Sequence, residues 1–140
     1  MNGFLLDTNV ISELVKPEPD ANVVRWIEET DESLLFLSVI TIGEIREGVE
    51  RLTPGRRRGR LESWLRIDLR ARFHNRILPV DESVAERWGE LSAVAAPNGK
   101  PVPVLDGLLA ATAAHYDLML VTRNVQDVAG TTVPTLNPWA

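Results

Sequence analysis

Three acidic residues in this chain stand where a charge is hard to accommodate. Asp7 ends the apolar run Phe4-Leu5-Leu6 and leads at once into Thr8-Asn9. Glu44 lies within Ser38-Val39-Ile40-Thr41-Ile42-Gly43-Glu44-Ile45, and Asp106 within Val102-Pro103-Val104-Leu105-Asp106-Gly107-Leu108-Leu109. An ionised carboxylate among apolar residues is unfavourable unless it is paired. Should the three converge, they also repel, since two like charges about 4 Å apart cost roughly 4 kcal/mol at an effective dielectric near 20. A hard divalent cation is the simplest remedy, because it takes oxygen ligands and is held by one or two carboxylates plus a phosphate. Such an ion activates water near neutral pH and neutralises charge on an attacked phosphorus, so no serine, cysteine or histidine nucleophile is needed. The chain has no cysteine, and its two histidines, His74 and His115, fall beside expected helix ends and read as caps or packing residues.

Each acid also has an ordinary structural reading. Asp7 suits a cap or turn after a strand. Thr41-Ile42-Gly43-Glu44 fits a capping box, in which Glu44 reaches back to the Thr41 amide. Asp106 suits an N-cap, because a helical apolar run starts directly behind it.

The surrounding pattern alternates strand and helix. Strands are expected over Phe4 to Leu6, Leu34 to Leu37, Ile77 to Val80, Leu118 to Thr122 and Val133 to Leu136. Helices are expected from Val10 to Val15, ended by Lys16-Pro17, from Asn22 to Glu29, from Thr41 to Val49, and from Arg57 to His74. Asp81 should cap a further helix through Val84, Trp88 and Leu91, Pro97 to Pro101 should be a loop, and Asp106 to His115 a buried small-residue helix. Alternation of this kind argues for an α/β fold, with a mainly parallel sheet between helical layers and a ligand site at the carboxyl ends of the strands. A length of 140 residues, without repeats or a linker-like stretch, fits a single domain over 1–140.

Charge is segregated along the chain. The net charge is −5, yet residues 51–76 hold nine arginines against two acids, a local balance of +7. The remainder carries six basic and eighteen acidic residues, or −12. An arginine-rich segment on an acidic body suits a phosphate backbone, with Arg56, Arg57 and Arg58 the densest part of it. The ordinary alternative is a solvated helix face paired to acids elsewhere. The first residues lack a signal-like basic and apolar pattern, and no apolar run approaches the roughly 18 residues of a membrane span, so a cytoplasmic protein is expected.

Taken together, Leu6-Asp7-Thr8-Asn9, Ser38-x-x-Thr41-x-x-Glu44, Leu105-Asp106-Gly107-Leu108-Leu109-Ala110-Ala111 and Val121-Thr122-Arg123-Asn124 resemble, in order and placement, the PIN-domain ribonucleases. Ile11-Ser12-Glu13-Leu14, Trp88-Gly89-x-Leu91 and the closing Leu136-Asn137-Pro138-Trp139 look like the VapC toxins of the FitB-like branch. The resemblance spans essentially the whole chain. It implies an α/β/α sandwich, an endoribonuclease dependent on Mg2+ or Mn2+, a homodimer, and a cognate antitoxin that inhibits the enzyme and carries any DNA contact. On the matching positions it implies that Asp7, Glu44 and Asp106 ligate metal and carry catalysis, with Thr8, Asn9 and Thr41 as supports. The family's fourth acidic position falls on Asn124, which brings no charge, and Asp127 three residues on is a candidate substitute.

Other readings are weaker. A dehalogenase-type phosphatase needs a second acid two positions after Asp7, where Asn9 stands, and a receiver domain needs a lysine after a late strand, whereas Lys16 and Lys100 are the only lysines and neither follows one. The main competitor is a co-repressor role, in which the chain serves chiefly as a subunit of a DNA-binding toxin–antitoxin complex with weak nuclease activity or none.

Overall fold

The computed structural model describes residues 2–98 and 101–140. Five short strands form one sheet: β1 (Phe4–Leu6), β2 (Leu35–Ser38), β3 (Ile77–Leu78), β4 (Met119–Val121) and β5 (Thr135–Leu136). Their order is β3-β2-β1-β4-β5, and every pairing is parallel. Parallel neighbours need crossover connections, and the alternating helices supply them. These are α1 (Thr8–Leu14), α2 (Ala21–Glu29), α3 (Val39–Glu50), α4 (Arg56–Ser63), α5 (Arg70–Arg72), α6 (Glu82–Ala95) and α7 (Val104–His115).

Strand periodicity divides the apolar residues between two cores. Leu6, Leu35, Leu37 and Val121 face one side of the sheet, where Val10, Ile11, Val23, Ile45, Leu65 and Phe73 pack on them. Leu5 and Leu120, one residue out of phase, face the other side with Leu109, Ala110, Ala113 and Val128. The result is a three-layer α/β/α sandwich. Ala110, Ala111 and Ala113 are fully buried, and their small side chains let α7 lie close to the sheet.

Where boundaries differ from expectation, local chemistry explains the shift. The third helix starts at Val39, because Ser38 caps it by accepting from the Ile40 amide at 3.0 Å. Thr41 is therefore inside the helix, and the capping box expected for Thr41 and Glu44 does not form. Likewise α7 starts at Val104 after Pro103, so Asp106 is a first-turn residue and not the N-cap. The Arg57 to His74 helix runs as α4, a π segment over Trp64–Leu69, and α5. Leu61, Leu65, Leu69 and Phe73 recur every four residues, which an α-helix would rotate off the core by roughly 40° per step. The wider π turn holds them in phase, leaving Ile67 65% exposed. Asp81 caps α6 as expected, with the Val84 amide donating at 3.0 Å. Of the loop expected at Pro97 to Pro101, Ala96–Asn98 is a 3-10 turn, and Gly99 and Lys100 lie outside the described residues. A 3-10 helix over Val125–Thr131 carries no apolar stripe and was not expected. Among the described residues no helix is long and apolar enough to cross a membrane.

The topology gives the sheet one chemically distinct edge. β1 is central, with β2 on one side and β4 on the other, so the chain reverses direction across the sheet beside it. Helices α1 and α3 leave the carboxyl ends of β1 and β2, and α7 runs back toward the start of β4. All three therefore place their N-termini at that edge, where the helix dipole favours negative charge.

Candidate active site

Asp7 follows the last residue of β1 and caps α1. Its Oδ1 accepts from the Thr8 amide at 2.6 Å, and its Oδ2 accepts from the Thr122 hydroxyl at 2.7 Å. The side chain is 8% exposed. Burial pushes its pKa above the ordinary carboxyl value, the Thr122 and Thr8 hydrogen bonds pull it back in part, and the charge of Asp127 pushes it up again. Asp7 thus fills the capping role and the buried-acid role at once.

Glu44 projects from the second turn of α3 toward the first turn of α1. Thr8 Oγ1 donates to its Oε1 at 2.5 Å and lies 3.1 Å from the Thr41 hydroxyl, which is itself fully buried. The partner that orients Glu44 is therefore on another helix, 36 residues away in sequence. Asp106 stands half-exposed in the first turn of α7. Burial, then the charges of Asp7, Asp127 and Glu44 in that order, push its carboxyl up to about 6. Asp7, Glu44, Asp106 and Asp127 thus share one electrostatic environment.

The remaining expected residues gather nearby. Asn124 caps the 3-10 helix and donates its amide to Thr122 Oγ1 at 3.0 Å, while Asp127 sits in that helix's first turn. Asn9 Nδ2 lies 3.5 Å from the same hydroxyl, and Asn9 Oδ1 is buried without a hydrogen-bond partner. Thr122 is the residue that sequence reading did not assign. The available signal was a hydroxyl directly after β4, at the position that matches Asp7 directly after β1. Glu13, also buried, is held by Lys16 Nζ at 2.9 Å and the Asp20 amide at 2.8 Å, which makes it a structural acid. His74 and His115 are exposed, and His115 stacks edge-on against Tyr116.

Among the described residues no three acidic or histidine side chains are drawn together closely enough to hold a metal ion. In kind, the groups fit a hard divalent cation: every donor is oxygen, among the described residues no Lys or Arg side chain bonds Asp7, Glu44 or Asp106, and the Asn9 side-chain carbonyl is buried beside Thr122 with nothing to accept from.

The arginines sort into two groups. Arg58 is held by Glu50 at 2.9 Å and by the Leu52 carbonyl at 3.2 Å, so it pins the start of α4 to the end of α3. Arg72 and Arg76 are similarly held by Glu32. Arg56, Arg57 and Arg60 are exposed, and their side chains bond nothing among the described residues. A cleft of about 1030 Å3 runs from Thr8 and Glu44 to Arg57, Arg60 and Trp64. A second, of about 920 Å3, lies on the other side of Arg60 and Trp64.

Comparison with known proteins agrees with this geometry. Residues 4–126 match the PIN domain. The chain is 38% identical to the toxin FitB of Neisseria gonorrhoeae over 136 residues, covering 97% of this chain and 98% of that protein. It is 36% identical over 136 residues to the VapC ribonuclease Y4jK of Sinorhizobium fredii, covering 97% of both. The structure of FitAB bound to an IR36 DNA fragment superposes with a TM-score of 0.94 at 36% identity, covering 98% of this chain and 96% of that one.

Proposed function

The chain belongs to the PIN-domain family, and from that premise we propose that it is the toxin of a toxin–antitoxin pair, a divalent-metal-dependent endoribonuclease folded as a single domain over 1–140. The observation that carries this reading is the gathering of Asp7, Glu44, Asp106 and Asp127 at one edge of the sheet, where among the described residues no Lys or Arg side chain bonds Asp7, Glu44 or Asp106 and where the Asp106 carboxyl is pushed up to about 6.

Asp7, Glu44 and Asp106 would hold Mg2+ or Mn2+ through carboxylate oxygens, with Asp127 and Asn124 on the fourth side. When bound, the cation lowers the pKa of water and offsets charge developing at the phosphorus. The chain's own residues set the conditions for that chemistry. Thr122 and the Thr8 amide hold both oxygens of Asp7 in one orientation, and Thr8 with Thr41 behind it fixes Glu44. Asp106, with its pKa raised toward neutrality, would have to be deprotonated to serve as a ligand, so cation binding would weaken on acidification. Arg57 and Arg60 face the cleft beside Glu44, where phosphates of the RNA would lie. A cognate antitoxin as inhibitor, a homodimer and a cytoplasmic location complete the proposal.

The FitAB–DNA complex favours a second role as co-repressor, in which the antitoxin contacts DNA and this chain does so only through it. Both roles are compatible on one chain. The deciding experiment incubates the purified protein with RNA and Mg2+, with and without EDTA, beside Asp7→Asn and Asp106→Asn. Cleavage that EDTA and either substitution abolish supports the nuclease. Absence of cleavage leaves the co-repressor role alone, and full activity in the variants removes Asp7 and Asp106 from the site.

A further inference from the structure

Arg123 stands directly after Thr122, whose hydroxyl bonds Asp7, and four positions before Asp127. Opposite charges four apart pair readily on a helix, and a guanidinium on a long stem suits a carboxylate better than any other cation. Yet among the described residues no ion pair or hydrogen bond engages the Arg123 side chain. Burial, hydrogen bonds and other acids act on the Asp7 and Asp106 carboxyls, and no cation does. Arg123 also lines neither of the two clefts.

Two groups draw this arginine the other way. Its guanidinium carbon stands 5.1 Å from the centroid of the Trp139 ring, within cation–π range. Its charge also reaches Glu13, where Lys16 first and then the Asp20 amide hold the carboxyl below its ordinary range against burial. Both oxygens of Glu13 are already taken, Oε1 by Lys16 Nζ and Oε2 by the Asp20 amide, so Glu13 attracts Arg123 by charge without bonding it.

Trp139 is itself held in place from several sides. The register sets Val121 beside Leu136, and the Thr122 amide donates to the Leu136 carbonyl at 2.9 Å, so the segments that carry Arg123 and Trp139 leave the sheet side by side. Asn137 Oδ1 accepts from the Trp139 amide at 2.9 Å, Asn22 Nδ2 donates to the Trp139 carbonyl at 3.1 Å, and the indole packs against the apolar core.

We propose that Trp139, assisted by the charge of Glu13, is a positioning residue that keeps Arg123 away from Asp7, Asp106 and Asp127. A guanidinium among those carboxylates would cancel the charge that a divalent cation needs and would occupy its oxygen donors. Stacked on the indole, Arg123 leaves both to the metal. This rests on the metal-site reading and adds to it the residues that hold the chain's own cation out of the site.

The test is Mn2+ uptake by the full chain at neutral pH without RNA, followed by isothermal titration calorimetry, which needs no turnover. Trp139→Leu keeps an apolar side chain and removes the ring; it should lose on the order of tenfold in Mn2+ affinity, the effect expected when a support of a metal site is lost. Trp139→Phe keeps an aromatic face and should stay within about threefold of wild type. Arg123→Gln alone should bind Mn2+ as wild type does, and Arg123→Gln added to Trp139→Leu should restore the lost affinity. A Trp139 that served only to pack the fold would not be rescued by removing a cation elsewhere.

An unchanged affinity in Trp139→Leu, or a loss that Arg123→Gln does not restore, overturns the proposal. Should Trp139→Leu fail to fold, Asn22→Ala, which unties the Trp139 carbonyl, takes its place with and without Arg123→Gln and is read in the same way. A wild-type chain that takes up no Mn2+ overturns the metal-site reading and this proposal with it. Uptake by wild type with no response in the variants removes the proposal and leaves that reading standing.

Discussion

The Thr122 hydroxyl donates to Asp7 Oδ2 at 2.7 Å, joining residues 115 positions apart. Each is the first residue beyond a strand, Asp7 after β1 and Thr122 after β4, and the pairing of Leu6 with Val121 brings the two strand ends level. The same hydroxyl oxygen accepts from the Asn124 amide and stands next to Asn9 Nδ2. One threonine thereby orients the buried acid and anchors the turn that carries Asn124 and Asp127.

Thr122→Val keeps the shape and removes the hydroxyl. A buried carboxylate deprived of a hydrogen bond should lower stability by about 1.5–3 kcal/mol. Because that bond holds the Asp7 pKa down, its loss raises the pKa further. The acidic limb of the pH–rate profile should therefore move to higher pH. An unchanged denaturation midpoint together with an unchanged profile would refute the role.

Asp106 predicts a pH-dependent stability. Its pKa in the fold is about 6, above the ordinary 3.8, so the protonated form is the one the fold favours. The stability associated with that proton is fully present below the ordinary value and is lost as pH rises through about 6. In EDTA at pH 7.5, Asp106→Asn should melt higher than wild type, by about 1 kcal/mol after discounting for solvent screening. Added Mg2+ should raise the melting temperature of wild type above pH 6 and have little effect on the variant. A variant that melts lower in EDTA would count against repulsion at this site.

Ser38 and Glu44 separate capping from chemistry within a single helix. Ser38→Ala removes the cap of α3 and should lower stability by about 1 kcal/mol. Glu44→Gln can still accept from Thr8, so its melting temperature should stay near wild type while RNA cleavage falls at least about tenfold. Full turnover in Glu44→Gln would leave Glu44 as a partner for Thr8 and nothing more.

Gly107 next to Asp106 allows α7 to lie against Trp88 of α6. A Cβ at 107 would stand 2.9 Å from Trp88 Nε1. Gly107→Ala should therefore displace the indole and lower stability by about 1–3 kcal/mol, the range for an overpacked core. Since the first turn of α7 moves with it, cleavage should fall too. Wild-type melting in this variant would show that Trp88 swings away at no energetic expense.

Local pattern was enough to single out Asp7, Glu44 and Asp106 as acids in apolar surroundings, because an acid at the end of an apolar run or on a helical stripe is visible within a few residues. The same local signal placed the strands near their observed positions, with ends one or two residues out, while the division of Leu5 from Leu6 between the two faces of the sheet emerged only in the structure. It failed where a nearby residue offered a partner that the fold does not use. Thr41 stands three residues before Glu44 and looks like its capping partner, yet the bond comes from Thr8 on another helix. Arg56, Arg57 and Arg58 are equivalent in a row of letters, and only the approach of Glu50 and the Leu52 carbonyl engages Arg58 while leaving the other two free. Thr122 acquires its role from the parallel register of β1 with β4. Residue type and spacing determined which side chains are able to do chemistry; strand register and helix packing decided which of them meet, because a hydrogen bond of under 3 Å between residues separated by more than a hundred positions exists only once the whole sheet has assembled.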